Sequence, residues 1–164
     1  MARRHIWVGI LTVTVLRAVV LGGDLGQLFD WKALPTLPDP IGVAAPFAGV
    51  VGESLVVAGG ANFPDGRPWA GAKKVWHDRV FVLDGPDGVW REAGRLPRPL
   101  GYGISITTAD GLVCVGGSDA ERHYEDVFRI RMESGGVVVD PLPSLPLPLA
   151  NAAGVLIDRT IFVV

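Results

Sequence analysis

The tetrapeptide Leu-Pro-x-Pro occurs three times, as Leu37-Pro38-Asp39-Pro40, Leu96-Pro97-Arg98-Pro99 and Leu145-Pro146-Leu147-Pro148. Six residues before each Leu stands a large apolar residue, Trp31, Trp90 or Val139. After each tetrapeptide come an apolar stretch, a short turn and a second apolar stretch. In the first two copies the second stretch runs into Gly59-Gly60 and Gly116-Gly117. A repeat of this length means one supersecondary unit stacked on itself, because a single unit cannot bury its own apolar face. The copies begin 59 and 49 residues apart, and the difference lies in one loop. Gly59 to Asp78 is 19 residues, whereas Gly116 to Asp126 is 10.

Composition says what the unit is made of. Among 164 residues there are 22 Gly and 13 Pro, while 49% are hydrophobic. Such a chain is too apolar for disorder and too rich in helix breakers for long helices. It predicts short strands and turns. In the first unit the strands fall at about 43–51, 54–58, 79–83 and 89–93. In the second they fall at about 103–108, 112–115, 127–132 and 137–140. The turns Gly52-Glu53, Gly85-Pro86-Asp87-Gly88, Ala109-Asp110-Gly111 and Glu133-Ser134-Gly135-Gly136 suit hairpins. Each Gly-Gly pair supplies positive φ and close backbone approach where the second strand leaves its sheet. Trp31 and Trp90 are expected to wedge between neighbouring sheets.

The formal net charge is −2, and only Lys32, Lys73 and Lys74 are lysines. No basic stripe exists, so nucleic acid is excluded as an expected partner. One cysteine, Cys114, sits in the apolar run Leu112–Val115. It allows no internal disulfide and no cysteine-based zinc site, and is expected to be a small buried hydrophobe. The N-terminus has a basic start, Arg3-Arg4, then an apolar run from Ile6 to Leu16. That is the architecture of a signal peptide, and it is too short for a spanning helix. Arg17 and the lack of an A-x-A site fit it poorly, so a buried strand or an early start codon stays open. The expected organisation is a leader over residues 1–23 and a repeat region over 24–164. The chain is expected to be exported, periplasmic or secreted, with no stable membrane span.

Four-stranded units of this length, with Gly-Gly endings and a spaced Trp, resemble kelch repeats, the blades of a β-propeller. The resemblance covers residues 31–164 and implies an all-β fold with blade units of about 31–94, 95–140 and 141–164. Propellers close with about four to eight blades. The kelch-type β-propeller expected here is therefore an incomplete ring, holding about two and a half blades of an expected six. Open blade edges invite self-association. The expectation is a fragment, a truncated product or a piece that pairs with another.

A narrower resemblance rests on the first loop and on two segments after it. The residues are Gly59-Gly60-Ala61-Asn62-Phe63-Pro64-Asp65-Gly66, Ala72-Lys73-Lys74-Val75-Trp76-His77-Asp78, Trp90–Pro97 and Gly101-Tyr102-Gly103-Ile104-Ser105. Together they are similar to the sialic acid mutarotases, or N-acetylneuraminate epimerases, which are six-bladed kelch propellers. The blade order, with residues 141–164 resembling an opening blade, is similar to the cyclically permuted mutarotases. The resemblance implies interconversion of the anomers of a sialic acid or related acidic sugar by acid–base chemistry, with no cofactor and no metal. In the family a Glu follows a blade's glycine and an Arg stands six residues later. Here those positions hold Ser118 and Tyr124 in the second unit, and Ala61 follows Gly60 in the first. No catalytic residue is carried over, and the chain alone is expected to be inactive. A non-catalytic kelch module that binds protein or glycan, and a degraded gene product, are the alternatives.

Cationic loop groups attract an acidic sugar. Asn62, Arg67, Lys73 and Lys74 of the first loop are candidate substrate-binding residues, as are Glu121 and Arg122 of the second. The alternative for all six is an ordinary solvated loop. Trp69 and Trp76 are expected to anchor the loop more than to stack on sugar. Asp78 and Asp126 are read as turn caps. His77 and His123 show no metal-site pattern.

Overall fold

The structure is a computed structural model that describes residues 32–164, of which Leu34–Val164 form one unit. The expected leader over residues 1–23 and Trp31 lie outside the described residues. The strands are β1 (Phe47–Val51), β2 (Ser54–Ala58), β3 (Ala61–Asn62), β4 (Val75–Trp76), β5 (Arg79–Asp84) and β6 (Trp90–Arg95). They continue with β7 (Ile104–Thr108), β8 (Gly111–Val115), β9 (Val127–Glu133), β10 (Gly136–Leu142), β11 (Gly154–Ile157) and β12 (Thr160–Val163). The only helical element among the described residues is a 3-10 turn at Pro68–Ala70. No helix among them is long and apolar enough to cross a membrane.

The strands make two four-stranded antiparallel sheets, ordered β1-β2-β5-β6 and β7-β8-β9-β10, and a hairpin, β11-β12. These are propeller blades, all-β as the repeat predicts. Tight two-residue turns set the registers, as where Val51 pairs Ser54 around Gly52 and Ile157 pairs Thr160 around Asp158. β1 starts later than the sequence suggests. Ala45 takes a left-handed conformation and Pro46 has no N–H to give to a ladder, so the strand begins at Phe47.

The core lies between blades. Along β8 every residue is buried, and period two splits them between two neighbours. Leu112 and Cys114 join Phe47, Val56, Val82, Phe128 and Ile130 between the first and second sheets. Val113 and Val115 join Ile104, Ile106, Ile161 and Val163 between the second sheet and the hairpin. Phe47 and Phe128 meet edge to face, with centroids 5.4 Å apart. Cross-sheet hydrogen bonds lock the first strands side by side, Ala48 N–H to Ser105 Oγ and Val50 N–H to Thr107 Oγ1, both 3.0 Å. On the last hairpin Val155, Ile157 and Phe162 are about half exposed.

The repeated motifs turn out to be the seam itself. Leu96 N–H donates to Asp78 O (2.7 Å) and Leu100 N–H to His77 O (3.1 Å). Leu145 and Leu149 do the same toward Glu125 O and Tyr124 O, at 2.9 and 3.0 Å. Pro97 and Pro99 intervene with no N–H to leave unpaired. In return Gly60 N–H donates to Leu100 O, and Gly117 N–H to Leu149 O. Gly59 and Gly116 have φ of +67° and +65°, and a Cβ on either would lie 2.2 Å from the Leu100 or Leu149 carbonyl oxygen. The seam closes through a third link. Tyr102 N–H donates to Ala45 O (2.9 Å) and Asn151 N–H to Tyr102 O (2.8 Å). Ala45, Tyr102 and Asn151 all have positive φ. Trp90 is half-buried on the terminal strand of its sheet and gives its indole N–H to Pro35 O at 2.8 Å. It therefore braces the chain before β1, where a wedge between sheets was expected.

Candidate functional site

The longer first loop builds what the second unit lacks. After Gly60 the chain continues as β3, turns through the Pro68–Ala70 3-10 helix and returns as β4. This short ribbon stands over the segment leading into β1, and Ala44 and Ala61 exchange backbone hydrogen bonds at 2.7 and 3.0 Å. Between them lies an open concavity of about 470 Å³, lined among others by Val43, Asn62, Arg67, Lys74 and Tyr102.

Three of the six residues expected from the sequence meet here, and they differ in what they offer. Asn62 is almost fully buried, and both ends of its amide are engaged. Its Nδ2 donates to Gly42 O (2.9 Å), and its Oδ1 lies 2.8 Å from His77 Nε2. It fixes the wall of the concavity. Arg67 is exposed and its guanidinium stacks over Trp69, 5.4 Å from the ring centroid. Lys74 is half-buried, with Nζ 5.0 Å from the Trp76 centroid and 4.0 Å from that of Tyr102, and it donates to the Tyr102 hydroxyl. Among the described residues neither cation has a carboxylate partner, and no acidic residue lines the concavity. The arginines of β5, β6 and β9, by contrast, are paired with Asp or Glu.

Lys73 is exposed and outside this lining. Glu121 and Arg122 lie on the exposed second loop, where both backbone N–H groups donate to Asp119 Oδ1 at 2.8 and 3.1 Å. Asp119 also accepts the Tyr124 hydroxyl at 2.5 Å, which is the main reason its carboxyl sits below the usual carboxylate range. Arg122 and Arg98 cover the Tyr124 ring at 4.6 and 4.5 Å. The position of the family's Glu thus holds a buried Ser118 whose backbone bridges Gly101 and His123. The position of its Arg holds a buried Tyr124 committed to the loop. Trp76 packs beneath Lys74 as a loop anchor should, but Trp69 is 78% exposed. Asp78 and Asp126 carry ion pairs to Arg95 (2.8 Å) and Arg98 (3.5 Å). Among the described residues no cluster could hold a metal ion.

Sequence reasoning missed Tyr102. It belongs to the second unit, 28 residues beyond Lys74, and nothing local marks it as a partner for the first loop.

Stacked four-stranded antiparallel blades, joined through Gly-Gly and Leu-Pro-x-Pro seams, define a protein of the β-propeller class. The sequence model of N-acetylneuraminate epimerase matches residues 8–139, and the chain belongs to that family. It is similar to the N-acetylneuraminate epimerase of Yersinia pestis (strain Pestoides F), 38% identical over 115 residues, covering 61% of this chain and 29% of the relative. With the enzyme of that name from Brucella suis it shares 37% over 127 residues, 67% of this chain and 32% of the relative. The solved structure of YjhT aligns with a TM-score of 0.60 at 29% identity, over 68% of this chain and 34% of that one. The chain spans about a third of the length of the curated relatives it matches.

Proposed function

We propose that the chain supplies part of a kelch-type mutarotase ring that interconverts the anomers of N-acetylneuraminate or a related acidic sugar. The observation that carries this reading is the concavity whose only charged lining groups among the described residues are Arg67 and Lys74, cations with no carboxylate partner there. Such a wall favours an anion over a neutral sugar. Ring opening needs a base for the anomeric hydroxyl proton and an acid to return it. No carboxylate or imidazole is among the lining residues, and Ser118 and Tyr124 stand where the family carries its pair. The chain therefore binds without turning over, and other blades supply the proton transfer. The family match ends at residue 139 although strands continue to Val163, which supports the permuted blade order. We further propose export, to the periplasm or beyond, under the N-terminal leader, and self-association through open blade edges.

The test is exchange between the α and β anomers of N-acetylneuraminate, followed by NMR. The purified chain is expected to leave the spontaneous rate unchanged, and a preparation completed by the remaining blades to accelerate it. Acceleration by the chain alone would overturn the division of labour. A non-catalytic glycan- or protein-binding module is the second reading, favoured by the structural use of Ser118 and Tyr124. It predicts sugar binding with no acceleration in either preparation.

A further inference from the structure

We propose that Lys74 and Tyr102 form one carboxylate-recognition corner, in which the Lys74 ammonium supplies the charge and the Tyr102 hydroxyl a directed hydrogen bond. The proposal deepens the acidic-sugar reading by naming the groups that would hold the acid. It starts from donor accounting. Lys74 has three N–H bonds and no acceptor, and one of them goes to the Tyr102 oxygen. The phenol then accepts on its oxygen and its own proton is left to give. Among the described residues no other hydrogen bond engages either side chain. Two lysine N–H groups and one tyrosine O–H are therefore left to give, on residues that line a hollow with no carboxylate in its lining.

The corner is also held in place. Lys74 Nζ lies against the faces of Trp76 and Tyr102, at 5.0 and 4.0 Å from the ring centroids. The rings replace part of the ammonium's hydration, so a carboxylate arriving there displaces less water than at a free lysine. Lys73, one residue away, is exposed and has no such setting. Tyr102 is fixed by the seam, giving its N–H to Ala45 O and accepting from Asn151 N–H. Its backbone is left-handed, with φ +64°. Asn151, at the equivalent place in the next unit, suits that conformation better than an aromatic residue does. A tyrosine there carries a backbone cost that the seam alone does not require. Its hydroxyl, meeting a lysine from the neighbouring unit's loop, is the feature that an asparagine would lack.

With three lysines in the chain, the side-chain ε-methylene NMR signals can be assigned by substitution. The probes are N-acetylneuraminate, its neutral methyl ester, and acetate, titrated into the intact protein. Saturable movement of the Lys74 signal with N-acetylneuraminate is expected, with Lys73 silent and the ester on the order of tenfold weaker, as for loss of a charge-assisted hydrogen bond. Tyr102→Phe should weaken the acid several-fold and leave the ester unchanged. Tyr102→Asn should do the same while keeping or raising the urea midpoint, which a purely structural clasp would lower. Acetate moving Lys74 as strongly as the sugar supports the carboxylate corner while removing support for the sugar. Sugar binding that leaves Lys74 still, or equal affinity of acid and ester, overturns the corner without touching the acidic-sugar reading. No movement of Lys74 with any probe overturns it outright.

Discussion

Gly116→Ala is expected to weaken the seam between the second sheet and the β11–β12 hairpin, and Gly52→Ala supplies its internal control. The two glycines share a backbone conformation, with φ of +65° and +63°. They differ in surroundings. A Cβ at Gly52 meets nothing within 4 Å, whereas one at Gly116 lies 2.2 Å from the Leu149 carbonyl oxygen. Placing alanine in a left-handed conformation costs about 1–2 kcal/mol at either site. At Gly116 the oxygen must also retreat by roughly 1 Å, an overpacking cost of about 1–3 kcal/mol. The same oxygen accepts the Gly117 N–H at 2.7 Å, and disturbing that bond adds about 1 kcal/mol. The sum is about 4.5 kcal/mol at Gly116 against about 1.5 kcal/mol at Gly52. With a urea m-value of about 2 kcal/mol/M, the midpoints should differ by about 1.5 M. Equilibrium urea unfolding followed by tryptophan fluorescence reads this directly. Equal losses at the two sites would refute the argument that the Gly-Gly pair exists to let a neighbouring carbonyl approach.

Asp140 gives a pH prediction. Its hydrogen bond with Arg131, then that with Arg129, hold its carboxyl down from 3.8 to about 2. A lowered folded-state value contributes stability above the unfolded value, lost as pH falls. Asp140→Asn should therefore flatten the fall of the urea midpoint between about pH 4 and about pH 2. An unchanged acid limb would contradict it. Burial pushes the Cys114 thiol well above its ordinary range. Labelling by an aromatic disulfide should accordingly follow unfolding, and rapid labelling of the native protein would show that the inter-sheet core is open. Asn62→Ala should cost about 1–3 kcal/mol by leaving Gly42 O and His77 without their partner. Stability unchanged by that substitution would argue that Asn62 is free to meet a ligand.

Strand positions were legible because each depends on neighbours in sequence. Alternation, a turn glycine and a Gly-Gly stop lie within one hairpin, so β2, β5, β8 and β9 fall close to where the pattern puts them. Where a tertiary contact decides, the pattern fails. The start of β1 is set by the left-handed Ala45, whose carbonyl is held by Tyr102 of the next unit. The β3–β4 ribbon is two residues wide and too short to show any period. The sequence marks Arg67 and Lys74 as cationic groups of one loop, and the structure brings both to one hollow, whose other walls the sequence does not show. Asn62 is drawn into the scaffold by His77, and Tyr102 enters from across the seam. The role of Leu-Pro-x-Pro was hidden for the same reason. Its leucines donate to carbonyls around 20 residues back, Leu96 to Asp78 and Leu145 to Glu125.

The Ala45–Tyr102–Asn151 link has a direction. Tyr102 hands its proton to Ala45 O of the unit behind and shows its own oxygen to Asn151 N–H of the unit ahead. Such a zipper is heterologous, and like ends cannot mesh through it. A symmetric pair of chains facing each other about a two-fold axis would set donor row against donor row or oxygen against oxygen. Growth along this stitch is head to tail alone, and any mirror-fashioned dimer must find another surface.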